Sequence, residues 1–423
     1  MAGKASKSRL LKSDDFKFKN LINYIAVILV LTVFSTLQFT GNLKPSYATL
    51  LIQIGYSIIL AVSLNLVVGF LGELSLGHAG FMCVGAYIGP FLSMKLLPLF
   101  VSLLEKMNFD SLVSALNGMG LDFLKISTSS VSKVLCILVS MVVSALLAAL
   151  FGFLVGLPAL RLKGDYLAIV TLAFGEIIRN IFRNLPKDLF GGAQGLSTGK
   201  VKFGAKDFPL FIIVFVTVLV VLFLIQNLIR SKHGRAITAI RDNEIAAKAM
   251  GINVIFYKLF VFVIAAAFAG IAGTFYGHSN TPIIYTAFSY NYSIEILVMV
   301  VLGGMGSVSG SMIAATLIVL MNSLLQKYLP NELADLNRLI YAVILIVIVI
   351  YNNAPKLAFI KEKFSLKALT AKLTAKNRKP EDILNDPAHW DKIPTKIKMD
   401  EVISTDFTPG NEYTPDKPGK GGN

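Results

Sequence analysis

The stretch RSKHGRAITAIRDNEIAAKAMGINVIFYK, Arg230 to Lys258, is a polar, basic interval set between two long apolar runs. Within it Ala236, Ile237, Ala239, Ile240, Ile245, Ala246, Ala249 and Met250 recur at spacings of three and four, which places a small-residue apolar stripe on one side of a helix. Asp242 and Asn243 are residues that cap a second short helix, and Gly251 is a C-terminal stop. The stretch therefore predicts two short helices meeting at a bend. A basic loop between spans needs no partner if its charge only sets topology. Ala246-Ala247 and Gly251 add something a topology signal has no use for, because small residues let another protein surface approach a helix closely. Docking is the expectation.

Outward from this interval the chain is mostly apolar. Of its 423 residues 55% are hydrophobic and 15% charged, and the mean hydropathy is +0.68. That composition excludes a soluble globular protein and predicts an all-α polytopic membrane protein. The net charge of +15 sits in the N-terminal arm, the loops and the tail. It reads as topology signal and contact with anionic lipid, not as a nucleic-acid surface. Cys83 and Cys136 both lie in apolar runs and are expected as small core residues, with no metal site. The basic N-terminus, residues 1–20, leads into an apolar run without a small-residue cleavage site, so an uncleaved first span is expected.

A spanning helix needs about 20 mainly apolar residues. Leu21–Thr40, Tyr47–Gly69, Val131–Leu157, Pro209–Ile229, Lys258–Gly277 and Leu336–Tyr351 meet this. Gly72–Leu99 does so with glycine and proline interruptions, Asp165–Phe182 carries Glu176 and Arg179, and Tyr290–Lys327 is two runs divided by GGMGSVSG. The expected count is about ten spans, some broken or re-entrant, with a two-half internal repeat. Starting with the basic arm inside, Arg161–Asp165, the 230–258 loop and the tail after Tyr351 fall on the cytoplasmic side. Leu99–Ser130, Asn184–Phe208 and Asn280–Ser289 fall outside, the first able to hold a short surface helix. The permease domain is thus 21–352. Residues 353–379 form a basic amphipathic piece suited to a membrane surface, and 380–423, which contain Trp390, are expected to be disordered.

The densest constellation is LNLVVGFLGELSLGHAGFMCVGAYIGP, Leu64–Pro90. Glycine at this frequency permits close packing and helix breaks, and a break is tolerated in a bilayer only beside protein or a water-lined cavity. Glu73, Ser75 and His78 lie on the interrupted turn, either as cap and packing groups or in contact with a transported molecule. VLGGMGSVSGSMIAA, Val301–Ala315, is a second glycine break, and two breaks point to a site between halves of the chain near mid-membrane. Candidate path residues are Asn65, Gly69, Gly72, Ser75, Gly77, His78, Gly80 and Gly85 with Gly303, Gly304, Gly306 and Ser307. Glu295, beside Tyr290 and Tyr292, either orients a polar ligand or sits at headgroup level with the tyrosines. Glu176, Arg179 and Arg183 share a helix face, and Glu176 with Arg179 is expected to pair at a helix end. GGAQGLSTGK, Gly191–Lys200, fails as a phosphate loop, because Gln194 and Val201 stand where Gly and Ser or Thr are required. No catalytic triad or hydrolytic carboxylate pair appears, so no enzyme and no bound cofactor are expected.

Four blocks carry a resemblance. LNLVVGFLGELSLGHAGFMCVGAYIG, GDYLAIVTLAFGEIIRNIFRN with GGAQGLSTG, GRAITAIRDNEIAAKAMGINVIFYKLFVFVIAAAFAGIAG, and SIEILVMVVLGGMGSVSG together resemble the LivM-type permeases of bacterial branched-chain amino-acid ABC importers. The likeness runs colinearly from about Tyr47 to Tyr351. It implies a multi-pass inner-membrane subunit with both termini cytoplasmic, a second LivH-like permease, two cytoplasmic ATPases that bind ATP and Mg²⁺, and an external substrate-binding protein. It also implies that Arg241, Glu244, Ile245, Ala246, Ala247 and Gly251 form the ATPase-coupling loop. That loop usually reads Glu-Ala-Ala, three residues, Gly; here Ile245 holds the Glu position and Glu244 stands one residue early. The rival expectations are the same architecture for urea, an amide or a sugar, and an ion-coupled transporter acting alone.

Overall fold

The computed structural model describes residues 44–106, 128–162, 164–197 and 210–328, with 23–25, 27–38, 40, 343 and 346. By contact pattern the chain divides at Asn352, and everything described belongs to the first unit. The N-terminal arm 1–20, the segments 353–379 and 380–423, Val201, and all of the expected span Leu336–Tyr351 except Val343 and Ile346 lie outside the described residues.

The described helices, in order, are α1 (Asn23–Gln38), α2 (Pro45–Asn65), α3 (His78–Lys106), α4 (Thr128–Ala159), α5 (Asp165–Asn184), α6 (Lys187–Phe190), α7 (Leu210–Arg230), α8 (Lys232–Asp242), α9 (Glu244–Ala249), α10 (Val254–Ser279), α11 (Tyr290–Gly303) and α12 (Val308–Tyr328). Six are long and apolar enough to cross a membrane: α2 with the turn that follows it, α3, α4, α7, α10 and α12. The others in the expected count of ten are α1 and α11, which are shorter, charged α5, and the undescribed 336–351 segment.

Three boundaries differ from expectation. Residues 72–77 are not helical, so α3 starts at His78, and it runs through Leu99 to Lys106, so the outer interval begins later. At the other end of the decisive stretch, Val254 already belongs to α10, because Asn253 accepts from the Phe256 amide at 3.2 Å and caps that helix.

The centre of the fold is α2 and its extension. Pro45–Leu71 is buried over 94% of its most apolar window, against 50% or less for the other five spans. Apolar residues on every side of a helix demand burial on every side, and α7, α10, α11 and α12 supply it. Helices α3, α4 and α10 form a second tight group, and glycine is the reason. A Cβ built on Gly85 would lie 1.9 Å from the Gly270 carbonyl oxygen, one on Gly273 2.1 Å from that of Met82, and one on Gly270 2.5 Å from the Ala148 methyl. Backbones that close gain van der Waals contact that leucine side chains would prevent. Cys83 and Cys136 are free and fully buried, as small core residues.

The outer faces also carry many large apolar side chains. On α4, Leu138, Val142, Leu146, Leu150, Leu154 and Leu157 form one exposed stripe. A stripe of this size in water is an aggregation liability, whereas hydrocarbon accepts it. An apolar cavity of about 930 Å³ opens between α1, α2, α7 and α12, lined by residues such as Val27, Ile54, Phe215 and Met312. None of the expected path residues lines it.

Candidate functional site

The polar stretch folds as its caps dictate. Ser231 accepts from the Gly234 amide at 3.2 Å to start α8, and Asn243 accepts from the amides of Ile245 and Ala246, both at 3.0 Å, to start α9. Gly251, at φ +80°, ends α9 in the left-handed conformation that a residue with a Cβ rarely adopts. Removing the Asn243 cap should cost about 1 kcal/mol locally. We expect Asn243→Ala to speed amide hydrogen exchange at Ile245 and Ala246 by about fivefold; unchanged exchange would show that the packing of α9, not the cap, sets its stability.

The small-residue stripe does not face one way. Ile237, Ile240 and Ala247 are buried within the chain, whereas Ile245 and Met250 are 82% and 83% exposed, with Ala246 and Gly251 also at the surface. Ala247 is therefore an internal packing residue, and the outward apolar surface of the pair consists chiefly of Ile245 and Met250.

The inner side of the pair is bonded to the first glycine break and borders the second. After α2 a π-type turn, Leu66–Leu71, leads to Gly72 at φ +82°, and the Arg241 stem lies against Gly72, where a Cβ would come within 2.9 Å of it. Arg241 Nη1 donates to the Gly69 carbonyl at 2.6 Å. The second break lies alongside: the Gly306 amide donates to Asn65 Oδ1 at 2.9 Å, and Gly306 adjoins the Arg241 guanidinium. Glu73 pairs with Lys258 in the first turns of α10, and Lys258 also meets Glu244 at 3.2 Å. Lys248, hydrogen-bonded to Glu244 at 2.7 Å, pulls the Glu244 carboxyl below the usual carboxylate range, and Lys258 acts in the same direction. The two breaks thus abut the helix pair. The 27 residues of α2 and its turn rise about 40 Å, so the first break follows a helix of full crossing length.

Beyond Gly72 the chain turns back into the protein. Leu76 donates to Thr171 Oγ1 at 3.1 Å and the Ala79 amide to Ser293 Oγ at 3.0 Å. Gly77 and Gly80 press on α5, where their Cβ atoms would meet Thr171 and Gly175 backbone at 2.3 and 2.7 Å. His78 Nε2 lies 2.8 Å from Ser63 Oγ with both residues buried. Ser75 is buried, and its hydroxyl has no hydrogen-bond partner among the described residues. Gly85 is in the α3–α10 seam, and Gly303 packs on Gly310. Gly304 is at φ +89°, and Ser307 accepts from the Gly310 amide at 3.1 Å as the start of α12.

Glu176 and Arg179 pair at 2.6 Å, as their spacing predicts. Sequence reasoning missed the other half of that contact: Glu176 also accepts from the Tyr290 amide at 3.0 Å, holding the start of α11, while Arg179 and Arg183 lie 5.9 and 5.3 Å from the Tyr285 ring centre. Glu295 is half-buried on α11. The segment GGAQGL, Gly191–Leu196, is stapled to the chain before α11, Leu196 and Ile283 exchanging backbone bonds of 3.0 and 2.9 Å. Lys258 was the chief omission. An ammonium a few residues inside an apolar helix is costly without a partner, and that was the available signal.

Long apolar helices with lipid-compatible outer faces, joined at one end by a capped helix pair, define a multi-pass α-helical membrane protein. Comparison with known sequences narrows the class. The family described as "Branched-chain amino acid transport system / permease component" matches residues 46–349, and the chain belongs to it. The high-affinity branched-chain amino acid transport system permease protein LivM of Escherichia coli K12 is 33% identical over 299 residues, covering 64% of this chain and 61% of that protein. The chain thus matches about three-fifths of the length of that relative. The probable LivM protein of Methanocaldococcus jannaschii is 28% identical over 332 residues, 72% of this chain and 90% of the relative. The probable LivH protein of the same organism is 28% identical over 174 residues, 40% and 54%. No solved structure matches the chain.

Proposed function

We propose that this chain is the membrane-spanning permease subunit of an ATP-driven importer that moves branched-chain amino acids into the cytoplasm by alternating access. The observation that carries the reading is the helix pair α8–α9, apolar outward at Ile245 and Met250, hydrogen-bonded inward through Arg241 to the first glycine break and bordering the second. Such a pair is suited to seat in a groove of a cytoplasmic ATPase, so that nucleotide-driven closure moves the attached helices as rigid bodies. Membership of the permease family and the printed names of the relatives support the substrate class. Likeness to both LivM and LivH proteins supports a pair of related permeases.

In this reading the assembly holds a LivH-like permease, two ATPases that carry ATP and Mg²⁺, and an external binding protein. It resides in the bacterial inner membrane with both termini cytoplasmic and ten spans arranged as two halves. The amino acid passes beside the glycine-broken helices, with the α3 N-terminus and the unpartnered Ser75 hydroxyl available to its carboxylate. The test is radiolabelled leucine uptake into proteoliposomes containing this chain, its genomic partner permease and the ATPases, with ATP inside and binding protein outside. Uptake that requires both, and that isoleucine or valine suppresses, is the expected result. ATP-dependent uptake of a different solute only would remove the substrate. Leucine uptake by this chain alone on an ion gradient would overturn the coupling.

A further inference from the structure

We infer that Lys258 is a positioning residue, a buried charged strut through which the coupling pair α8–α9 drives the broken segment 66–77 directly. The inference rests on the importer reading and adds to it the route of the movement. Lys258 is 5% exposed, yet its ammonium reaches two carboxylates on different elements, Glu73 in the break and Glu244 at the first residue of α9. With Lys248 on Glu244, two ammonium groups and two carboxylates form a balanced cluster spanning α9, α10 and the break. A buried charge tolerates the loss of a partner poorly, because the remaining ion cannot rehydrate. Separation of α9 from the break is therefore resisted more strongly than their joint displacement.

Arg241 supplies a second link on the other helix of the pair. Its guanidinium holds the Gly69 carbonyl and borders Gly306, so α8 touches both breaks through one side chain. The first break is thereby tied to each coupling helix separately, by Arg241 to α8 and by Lys258 to α9. A segment fixed at two points has to follow both the translation and the tilt of the pair. Gly72, at φ +82° beneath the Arg241 stem, is where that motion enters the chain between α2 and α3. The transported molecule need not touch any of these residues for them to set coupling.

The test uses the full assembly in proteoliposomes and the full chain in lipid nanodiscs. Lys258→Met is expected to lower leucine imported per ATP hydrolysed by about tenfold, within the ~5–150-fold range of coupling between sites, while ATP hydrolysis itself persists. Glu73→Gln should show the same split and Lys258→Arg should restore the ratio, a rescue that simple misfolding would not give. Independently, spin labels at Leu74 in the break and at Ala249 at the end of α9, both exposed, should give a narrow distance distribution in the native chain and in Lys258→Arg, but a broad one in Lys258→Met. A Lys258→Met protein with an unchanged import ratio or an unchanged distribution would overturn the strut. Wild-type assembly without ATP-driven uptake would instead overturn the importer reading, and the label pair would still decide the strut.

Discussion

Gly85→Val is expected to force α3 and α10 apart and to lower the thermal midpoint of the purified protein by roughly 3–6 °C. Three backbone atoms of Gly270, its oxygen, carbonyl carbon and Cα, lie within 2.7 Å of where the Gly85 Cβ would sit. No rotamer relieves a clash with backbone, so the helices themselves have to move. The same seam is closed by Gly273 against Met82 and Ala86 and by Gly277 against Ala86 and Pro90, so displacement at Gly85 propagates along both helices. Overpacking a tight core costs about 3 kcal/mol at its upper end, and a chain of 423 residues loses about 1–2 °C per kcal/mol, half of the ~2–4 °C of a 200-residue one. Gly304→Ala is the control. Nothing lies within 4 Å of its Cβ, so only the backbone strain of φ +89° applies, on the order of 1 kcal/mol. Scanning fluorimetry in detergent separates the two, and a Gly85→Val protein melting within about 2 °C of wild type would show that the seam is looser than this geometry.

The second large effect is expected at the outward face of the helix pair. Replacing Ile245 and Met250 together by Asp should cut ATP-driven leucine uptake by at least tenfold, about what loss of one apolar anchor at an interface centre costs. Insertion and thermal midpoint should stay as in the parent, because both side chains are more than four-fifths exposed. Ala247→Arg makes a poorer probe of docking, since Ala247 is 4% exposed and a guanidinium there would unseat α9 from its own chain. Co-purification of the ATPase subunit with the double variant supplies the direct readout. Retention of the ATPase at wild-type levels, with normal uptake, would place the docking surface elsewhere.

The class of protein and the local architecture of the helix pair were legible from the amino acids. A cap reads its helix a few residues away, so Asn243 over Ile245 and Ala246, Gly251 as a stop, and Glu176 with Arg179 at three residues were all accessible to spacing. Membership of the membrane class needed only composition. The interruption around Gly72–Gly77 was legible from its glycines, but its direction was not: only the contacts of Leu76 and Gly77 with Thr171 show the chain turning back there.

What the tertiary structure alone decided has one physical source. In a helix that is apolar all round, hydrophobic periodicity carries no direction, so nothing in the pattern of α2 or α10 says which face meets which neighbour. Direction came from where glycines let two backbones meet, as at Gly85 and Gly270. Direction also came from polar groups whose partners are remote, as with Arg241 and the Gly69 carbonyl 172 residues away, or Glu176 and the Tyr290 amide 114 away. The same holds for Ala247, which turns inward because α8 and α9 fold back on the chain. The sequence by itself determined an apolar, helical, multi-pass protein with a capped polar helix pair. The close approach of remote backbones and buried charges decided that the pair, Lys258 and both glycine breaks lie together as one connected cluster.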